Sequence, residues 1–169
     1  LGTCDIDPTV ARKLAARFGP EVPAFTSMES LYEGVGAELE GVLVCLPHYL
    51  HERAAAFFLE RGVPVLMEKP VTCNLMELER LQRLETRTAF VQAGQMQRVE
   101  PESLWLRDTI GDAETFGAPV SFDLNIWQNI EGYVAGKTDH WILDGEKAGG
   151  GICISVAVHP LDLLRFITG

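Results

Sequence analysis

The chain has 169 residues, of which 47% are apolar and 22% are charged, and its formal net charge is −10. A chain of this length and composition can bury a hydrophobic core, so disorder is not expected. The negative charge argues against nucleic acid or an anionic membrane surface as a partner, because phosphate binding needs clustered Lys and Arg. The sequence has no uninterrupted run of about 20 apolar residues, so a membrane span is not expected.

The four cysteines are Cys4, Cys45, Cys73 and Cys153, and none belongs to a Cys-x-x-Cys pair. Scattered cysteines are typical of free thiols in a reducing compartment. We therefore expect a cytoplasmic protein. We predict no metal site, because structural metal sites need clustered ligands.

The first half of the sequence alternates apolar runs with segments of helical spacing. Asp7 and Pro8 are typical of a helix start, and Gly19 and Gly62 are typical of helix ends. Strands are predicted over residues 1–4, 22–25, 41–46, 64–67 and 89–93, and helices over residues 9–18, 27–32, 51–61 and 75–85. Strands that alternate with helices predict an α/β fold with a doubly wound parallel sheet.

The pattern changes after Gly117. Residues 120–126 alternate apolar and polar side chains with a period of two, which predicts a half-exposed strand of an antiparallel sheet. We therefore place a domain boundary between Arg98 and Gly117. Residues 1–98 form the predicted first domain, and residues 99–169 form the start of a predicted α+β second domain.

A ligand of a doubly wound sheet binds beyond the carboxyl ends of the strands. The candidates for a site are therefore Asp5 and the residues that follow the other strands, which are 47–51, 68–70 and 95–98. Asp5 can accept two hydrogen bonds from a ribose diol, which favours NAD over NADP. The alternative is that Asp5 simply precedes the first helix.

Lys69 lies between Glu68 and Pro70, where a predicted buried strand opens toward the ligand edge. An ammonium group there can donate to a substrate oxygen and stabilise negative charge as a proton leaves. The alternative is an exposed lysine at the end of a strand, and Lys69 alone does not decide between the two.

Three segments together resemble one known family. They are Pro47-His48-Tyr49-Leu50-His51, the run GVPVLMEKP over residues 62–70, and the run GGGICISVAVHPLDLLR over residues 149–165. The glycine triplet lets the backbone approach another element closely, and a helix is predicted over residues 152–167. The combination resembles the Gfo/Idh/MocA oxidoreductases, and the resemblance covers nearly the whole chain.

The resemblance implies an enzyme with a Rossmann-type dinucleotide-binding domain over residues 1–98 and a substrate domain that begins with residues 99–169. It implies hydride transfer between NAD, with NADP as the alternative, and a hydroxyl carbon of a sugar or polyol. It also implies a homo-oligomer. Lys69 matches the catalytic lysine of the family, and His159 matches its histidine acid/base. The positions that line the cofactor are matched by Pro47, His51, Glu68 and Lys69, and Arg98 and Pro101 fall in the segment that crosses to the substrate domain.

One candidate catalytic position departs from the family pattern. The family helix usually carries Asp four residues before the histidine, where this chain has Ser155. An Asp would orient and charge-stabilise the imidazole of His159, whereas Ser155 offers a neutral hydrogen bond. Asp162 could replace the missing carboxylate, or it could be a structural residue. This departure motivates a non-catalytic NAD-binding sensor as an alternative. The resemblance also leaves open a hydrolase or lyase that oxidises its substrate transiently with NAD, as some relatives do.

The strand order 3-2-1-4-5-6 of this fold puts the first strand between the second and the fourth. This sequence starts with a strand that matches the second, so we expect a fragment that lacks the Gly-rich pyrophosphate loop and binds NAD weakly. Trp127, Tyr133 and Trp141 could stack on a sugar face, although packing is the commoner role of such residues.

Overall fold

The computed structural model describes residues 1–125, 127, 129, 131–151 and 153–169, without the side chain of Tyr133. Its first half contains the predicted alternation of strands and helices. The strands are β1 Thr3–Cys4, β2 Ala24–Phe25, β3 Val42–Val44, β4 Val65–Met67 and β5 Val91–Ala93, and the helices are α1 Pro8–Ala15, α2 Met28–Val35, α3 His51–Leu59 and α4 Leu75–Leu84. The strands are shorter than the apolar runs that predict them, because pairing stops before the apolar pattern does.

Side-chain caps fix where the first two helices begin. Asp7 caps α1 by accepting a hydrogen bond from the N–H of Thr9 at 2.7 Å. Ser27 and Ser30 form a reciprocal capping box at the start of α2. Each of these bonds satisfies a backbone N–H that the helix leaves unpaired.

The strands form two parallel sheets. In one sheet β1 pairs with β2, and in the other β4 lies between β3 and β5. Within the described residues, no hydrogen-bonded strand joins β1 to β3. This arrangement agrees with the expected order, in which a further strand lies between these two. The carboxyl ends of β3, β4 and β5 meet at one edge of their sheet, which we call the carboxyl edge.

The hydrophobic core lies on one face of the three-stranded sheet. Val65 and Met67 on β4 are 1% and 0% exposed. The buried residues that join them in the core cluster include Leu31, Val44, Ala54, Ala55, Phe58, Leu59 and Leu81. On the opposite face, Leu43 and Leu66 are register neighbours and are 67% and 45% exposed. Helices therefore cover one face of this sheet within the described part of the chain, and the other face is open.

The second half of the described chain is helical. Its helices are α5 Pro101–Gly111, α6 Ala113–Phe116, α7 Glu131–Val134, α8 Gly145–Ala148 and α9 Val158–Thr168. Helix α5 packs against α9. The predicted division into residues 1–98 and 99–169 stays a prediction.

The antiparallel strand predicted over residues 120–126 is wrong for the part that the structure describes. Residues 120–125 have no regular secondary structure and are all exposed, and Ile126 lies outside the described residues. Val120 is 98% exposed. An alternating pattern produces a strand when a neighbouring strand accepts its hydrogen bonds and a core covers its apolar side. Residues 120–125 have neither within the described part of the chain.

The last predicted helix begins later than the sequence suggests. A π-helical turn, Cys153–Ala157, precedes α9, and Ile152 lies outside the described residues. The glycine triplet has the predicted use, because Gly149 has a φ of +79° and a Cβ atom there would lie 2.9 Å from the Cα atom of Cys73. Residue 149 therefore needs glycine both for its conformation and for its close approach to the loop before α4.

One stretch, Gly145–Thr168, is long and apolar enough by composition to cross a membrane, although the sequence pattern predicts no membrane span. The backbone of this stretch turns at Gly149, Gly150 and Gly151, all of which have positive φ values. Its side chains Ser155 and His159 line the cavity described below. A single stretch of this kind is weak evidence for a membrane span.

Substitution on the two faces of β4 should affect stability unequally. Met67→Ala removes a fully buried side chain and should lower the free energy of unfolding by about 2–5 kcal/mol. Leu66→Ala on the open face is the matched control and should cost less than about 1 kcal/mol. Urea unfolding followed by circular dichroism measures both values. Equal losses would show that the open face is covered in solution.

Candidate active site

Two loops at the carboxyl edge are held together by His51. Its ring is fully buried, and its Nδ1 and Nε2 atoms lie 2.7 Å from the carbonyl oxygens of Pro70 and Leu46. Leu46 follows β3 and Pro70 follows β4, so the ring bridges the ends of neighbouring strands. This bridge fixes the backbone directly next to Lys69.

Lys69 reaches from the carboxyl edge to the second half of the chain. Its Nζ donates to the carbonyl oxygen of Ser155 at 2.7 Å. Ser155 lies in the π-helical turn before α9. Pro160, five residues further on, has no N–H, so it cannot donate to this carbonyl in π-helical register. The local sequence therefore leaves a backbone acceptor that the ammonium group can use.

His159 lies in the first turn of α9 and lines the same cavity as Lys69. Its Nδ1 is buried and has no hydrogen-bond partner among the described residues. Burial lowers the pKa of His159, and the Lys69 ammonium lowers it further, against weaker opposing effects of Glu68, Asp162 and Glu100. A neutral imidazole at neutral pH is in the correct state to accept a proton.

Neither of the two residues considered as partners of the His159 ring forms a hydrogen bond with it among the described residues. The Ser155 hydroxyl is buried and also has no hydrogen-bond partner within the described chain, so the neutral hydrogen bond expected from it is not formed. Asp162 accepts instead from the guanidinium of Arg98, whose Nε lies 2.7 Å from Oδ2. This ion pair ties the segment after β5 to α9, so the geometry supports the structural alternative for Asp162. A catalytic role of Ser155 stays a prediction.

Lys69 and His159 share one cavity of 360 Å³. The other lining residues are Leu46, His48, Glu68, Val134, His140, Trp141, Ile142, Leu143, Gly151, Ser155 and Val156. The predicted catalytic pair, Ser155 and Glu68 are thus together, although they come from distant parts of the sequence. Pro47, His51 and Asp5 are not among the lining residues.

Asp5 directly follows β1 and is half-buried. Its Oδ1 accepts a hydrogen bond from the N–H of Asp7 at 2.8 Å, as expected of a residue that precedes a helix. Its contact with a ribose stays a prediction, and so do the cofactor contacts of Pro47 and His51. For His51 the two ring nitrogens are already occupied by backbone carbonyls, so the structure gives its side chain an indirect role.

Sequence reasoning named Trp141 as a possible stacking residue but missed the rings of His48 and His140 beside it on the cavity wall. His48 belongs to the candidate segment 47–51 that follows a predicted strand, but its residue type alone did not indicate a role for it. His140 and Trp141 come from a short irregular segment whose sequence carries no periodic signal. The ring centroids of His48 and Trp141 are 4.6 Å apart in an edge-to-face arrangement. Tertiary packing, which no local pattern encodes, brings these rings together.

The three residues considered for sugar stacking lie in different surroundings. Trp141 is half-buried and lines the cavity. Trp127 is 93% exposed and is not among the lining residues. The side chain of Tyr133 lies outside the described part of the structure. Trp141 is therefore the residue of the three whose place supports a stacking role.

The described residues bear on the expectations for metal ligands and for cysteines. They contain no group of three or more His, Cys, Asp or Glu side chains that could hold a metal ion. Cys4, Cys45, Cys73 and Cys153 are free thiols. Burial raises the pKa of the first three, which keeps them protonated and weakly nucleophilic. None of the four cysteines is among the lining residues of the cavity.

Two curated proteins resemble the sequence over long segments. The chain is 28% identical over 169 residues to the putative UDP-kanosamine synthase oxidoreductase subunit of Amycolatopsis mediterranei, which is 100% of this chain and 44% of that protein. It is 34% identical over 113 residues to inositol 2-dehydrogenase of Corynebacterium glutamicum, which is 64% of this chain and 33% of the relative. The chain thus spans less than half the length of either relative.

The fold and the family agree with the expectation from the sequence. The structure matches the WlbA (WbpB) dehydrogenase from Thermus thermophilus, solved with NAD and UDP-GlcNAcA, with a TM-score of 0.75 and 24% identity over 99% of this chain and 54% of that chain. This match confirms a Rossmann-type α/β fold. Residues 1–94, more than half of the chain, match the model of GFO_IDH_MocA, described as an oxidoreductase family with an NAD-binding Rossmann fold. The chain therefore belongs to the Gfo/Idh/MocA oxidoreductase family.

Proposed function

We propose that this chain carries the reacting centre of an NAD-dependent dehydrogenase that acts on a hydroxyl carbon of a sugar or polyol. The observation that carries this proposal is the shared cavity of Lys69 and His159 at the carboxyl edge. The names of the relatives, among them inositol 2-dehydrogenase, support a polyhydroxyl substrate. Because the chain spans less than half of these proteins, the activity is proposed for the full-length protein.

The residues at the carboxyl edge fit a nicotinamide dinucleotide. The cavity wall includes the apolar side chains of Leu46, Ile142, Leu143 and Val156, which suit one face of a nicotinamide ring. Asp5 directly follows β1, where a carboxylate suits a free ribose diol and repels a 2′-phosphate, so NAD is favoured over NADP. The cofactor, when bound, supplies the carbon that receives the hydride.

Proton transfer in this proposal belongs to His159. Its imidazole is neutral at neutral pH because burial and the Lys69 ammonium disfavour the charged form. With the cofactor bound, it would take the proton of the substrate hydroxyl while the same substrate carbon gives up its hydride, and a carbonyl would form on the substrate. In the reverse direction the same imidazolium returns the proton to the alkoxide.

Lys69 stabilises the oxygen that loses this proton. Its ammonium has three N–H donors, and one of them is held by the Ser155 carbonyl at 2.7 Å. The remaining donors can serve a substrate oxygen while that contact fixes the position of Nζ. A fixed cation near the developing alkoxide lowers the barrier because it is oriented before the reaction starts.

One observation favours a second candidate, a non-catalytic NAD-binding relative. No side chain of the described residues hydrogen-bonds the Nδ1 atom of His159, whereas an acid/base histidine is usually oriented by a partner. Hydride transfer assayed over a panel of sugars and polyols separates the two candidates. A parent protein that binds NAD but reduces none of it with any compound of the panel would favour the sensor.

Lys69→Ala should lower kcat by about 10²–10³, because it removes the cation that stabilises the alkoxide. NADH formation with myo-inositol and related polyols in the full-length protein measures this loss. Lys147→Ala is the matched control, since the Lys147 ammonium pairs with Asp144 at 3.2 Å and is not among the lining residues. Equal rates in the parent and the Lys69 variant would contradict the proposed role.

Lys69→Gln should raise the pKa of His159, because a neighbouring positive charge that disfavours the imidazolium is removed. The NMR titration of the His159 ring protons in the full chain measures the shift, with Lys147→Gln as the control that should leave it unchanged. An unchanged His159 titration in Lys69→Gln would show that the two groups are not neighbours in solution.

Ser155→Asp should raise the turnover number by about tenfold, because the carboxylate orients the imidazole one helical turn away and stabilises its charged form. The same substitution should raise the pKa of His159, so the acid limb of the rate profile should move to higher pH. Initial rates measured between pH 5 and pH 9 test both effects. An acid limb that stays in place, with turnover unchanged, would refute this explanation of the departure at position 155.

A further inference from the structure

His48 is a buried imidazole that none of the steps above employs. It follows Pro47 at the end of the β3 loop, begins the turn His48–Leu50 and is 6% exposed. It also lines the cavity that Lys69 and His159 share. A buried polar ring on the wall of a candidate active site needs a partner for each of its nitrogens.

One nitrogen of His48 has its partner, and this contact fixes the tautomer. Nδ1 lies 3.0 Å from the carbonyl oxygen of Ala148. A carbonyl oxygen accepts and cannot donate, so Nδ1 carries the proton and Nε2 of the neutral ring is an acceptor. Burial lowers the pKa of His48, which the Ala148 contact opposes and the nearby His51 and Lys69 reinforce. The ring is therefore neutral at pH 7.

The other nitrogen is available to a ligand. Within the described chain, no residue forms a hydrogen bond with Nε2 of His48, and this atom is not among the buried polar atoms that lack a partner. It therefore retains some access to solvent or to the cavity. A ligand donor that enters the cavity can reach a lone pair that the described residues leave free.

Two contacts of the ring join it to the half of the chain that carries His159. Trp141 packs edge-to-face against His48 at 4.6 Å, and the Nδ1 partner Ala148 ends α8. Both contacts come from the second half of the chain, which also provides His159. His48 is thus built into the wall that carries the proposed acid/base residue, although it comes from the sheet loop.

The donors and acceptors of the cavity complement a diol. The Lys69 ammonium can donate and cannot accept, while Nε2 of neutral His48 can accept and cannot donate. Two neighbouring hydroxyl groups satisfy both, since one accepts from Lys69 and the other donates to His48. A carboxylate or phosphate oxygen has no proton for His48, so a charged group at this point would face an unpaired lone pair.

We propose that His48 is a specificity-determining residue that accepts a hydrogen bond from a second substrate hydroxyl, next to the one that reacts. This inference rests on the proposed function, because it assumes that a polyol occupies the cavity. The subsite beside His48 would then bind an uncharged hydroxyl and exclude an anionic substituent.

NMR of the full chain labelled with ¹⁵N-histidine tests the proposal without any need for turnover. The probes are myo-inositol, D-xylose and levoglucosan, each titrated with NAD⁺ present. The expected result is that one of these probes shifts the Nε2 resonance of His48 together with the ring resonances of His159. A shift of His159 without a shift of His48 would overturn the subsite and leave the proposed function intact. No shift of either ring with any probe would overturn the proposed function, and the subsite with it.

Variants of His48 give a second, independent measurement. His48→Leu removes the acceptor and should weaken binding of the responding probe about tenfold, the usual cost of an unpaired hydroxyl. His48→Asn keeps an acceptor oxygen and should restore part of the affinity, and Tyr49→Phe, at the neighbouring residue outside the lining, should leave it unchanged. Calorimetry measures the three values. Equal affinity of the Leu variant and the parent would overturn the assignment.

Discussion

The ammonium of Lys69 and the carbonyl of Ser155 form the contact on which the candidate site depends. The lysine stands at the end of β4, and the carbonyl belongs to the turn before α9. The contact therefore joins the carboxyl edge to the helix that carries His159. It is possible because His51 fixes the backbone next to the lysine and because Pro160 cannot donate to the carbonyl in π-helical register. The ion pair of Arg98 and Asp162 holds the same helix at a second point.

The position of this ammonium also determines the charge of the cavity. Burial disfavours protonation of His48 and His159, two of the three imidazoles that line the wall, and the ammonium acts in the same direction. In the family pattern a carboxylate at position 155 would oppose this effect. With Ser155 the described lining has one cation, Lys69, the neutral rings of His48 and His159, the ring of His140 and the exposed carboxylate of Glu68. Such a set suits an uncharged substrate that gives up a proton, and this is why we propose a polyol.

The part of the fold that local signals encode could be predicted from the sequence. Apolar runs marked the strands, and Asp7 and Ser27 mark helix starts whose caps the structure contains. The strand predicted over residues 120–126 was wrong for the part that the structure describes. An alternating pattern indicates which side chains a strand would bury, but it does not indicate whether a neighbouring strand is present. The π-helical turn was not predicted. Its Ser155 carbonyl accepts from Lys69, which lies 86 residues away in sequence, and local patterns do not encode such a contact.

The residues of the candidate site also fall into two groups, those that a local motif predicts and those that only tertiary packing brings together. Lys69, Glu68 and His159 were found because short motifs carry them, and the structure brings all three to one cavity. His48, His140 and Trp141 were not found as a group, since their meeting depends on tertiary packing of an irregular segment. The contact expected between Ser155 and His159 followed from helical spacing, but the hydroxyl is too short and too weakly polar to define the ring orientation that a carboxylate would impose.

The decisive measurement is a crystal structure of the full-length protein with NAD⁺ and a polyol that binds. The reacting hydroxyl should lie within hydrogen-bonding distance of both Lys69 Nζ and the His159 ring, with the nicotinamide carbon facing the same substrate carbon. A polyol bound elsewhere, or one that contacts neither side chain, would refute the proposed reacting centre.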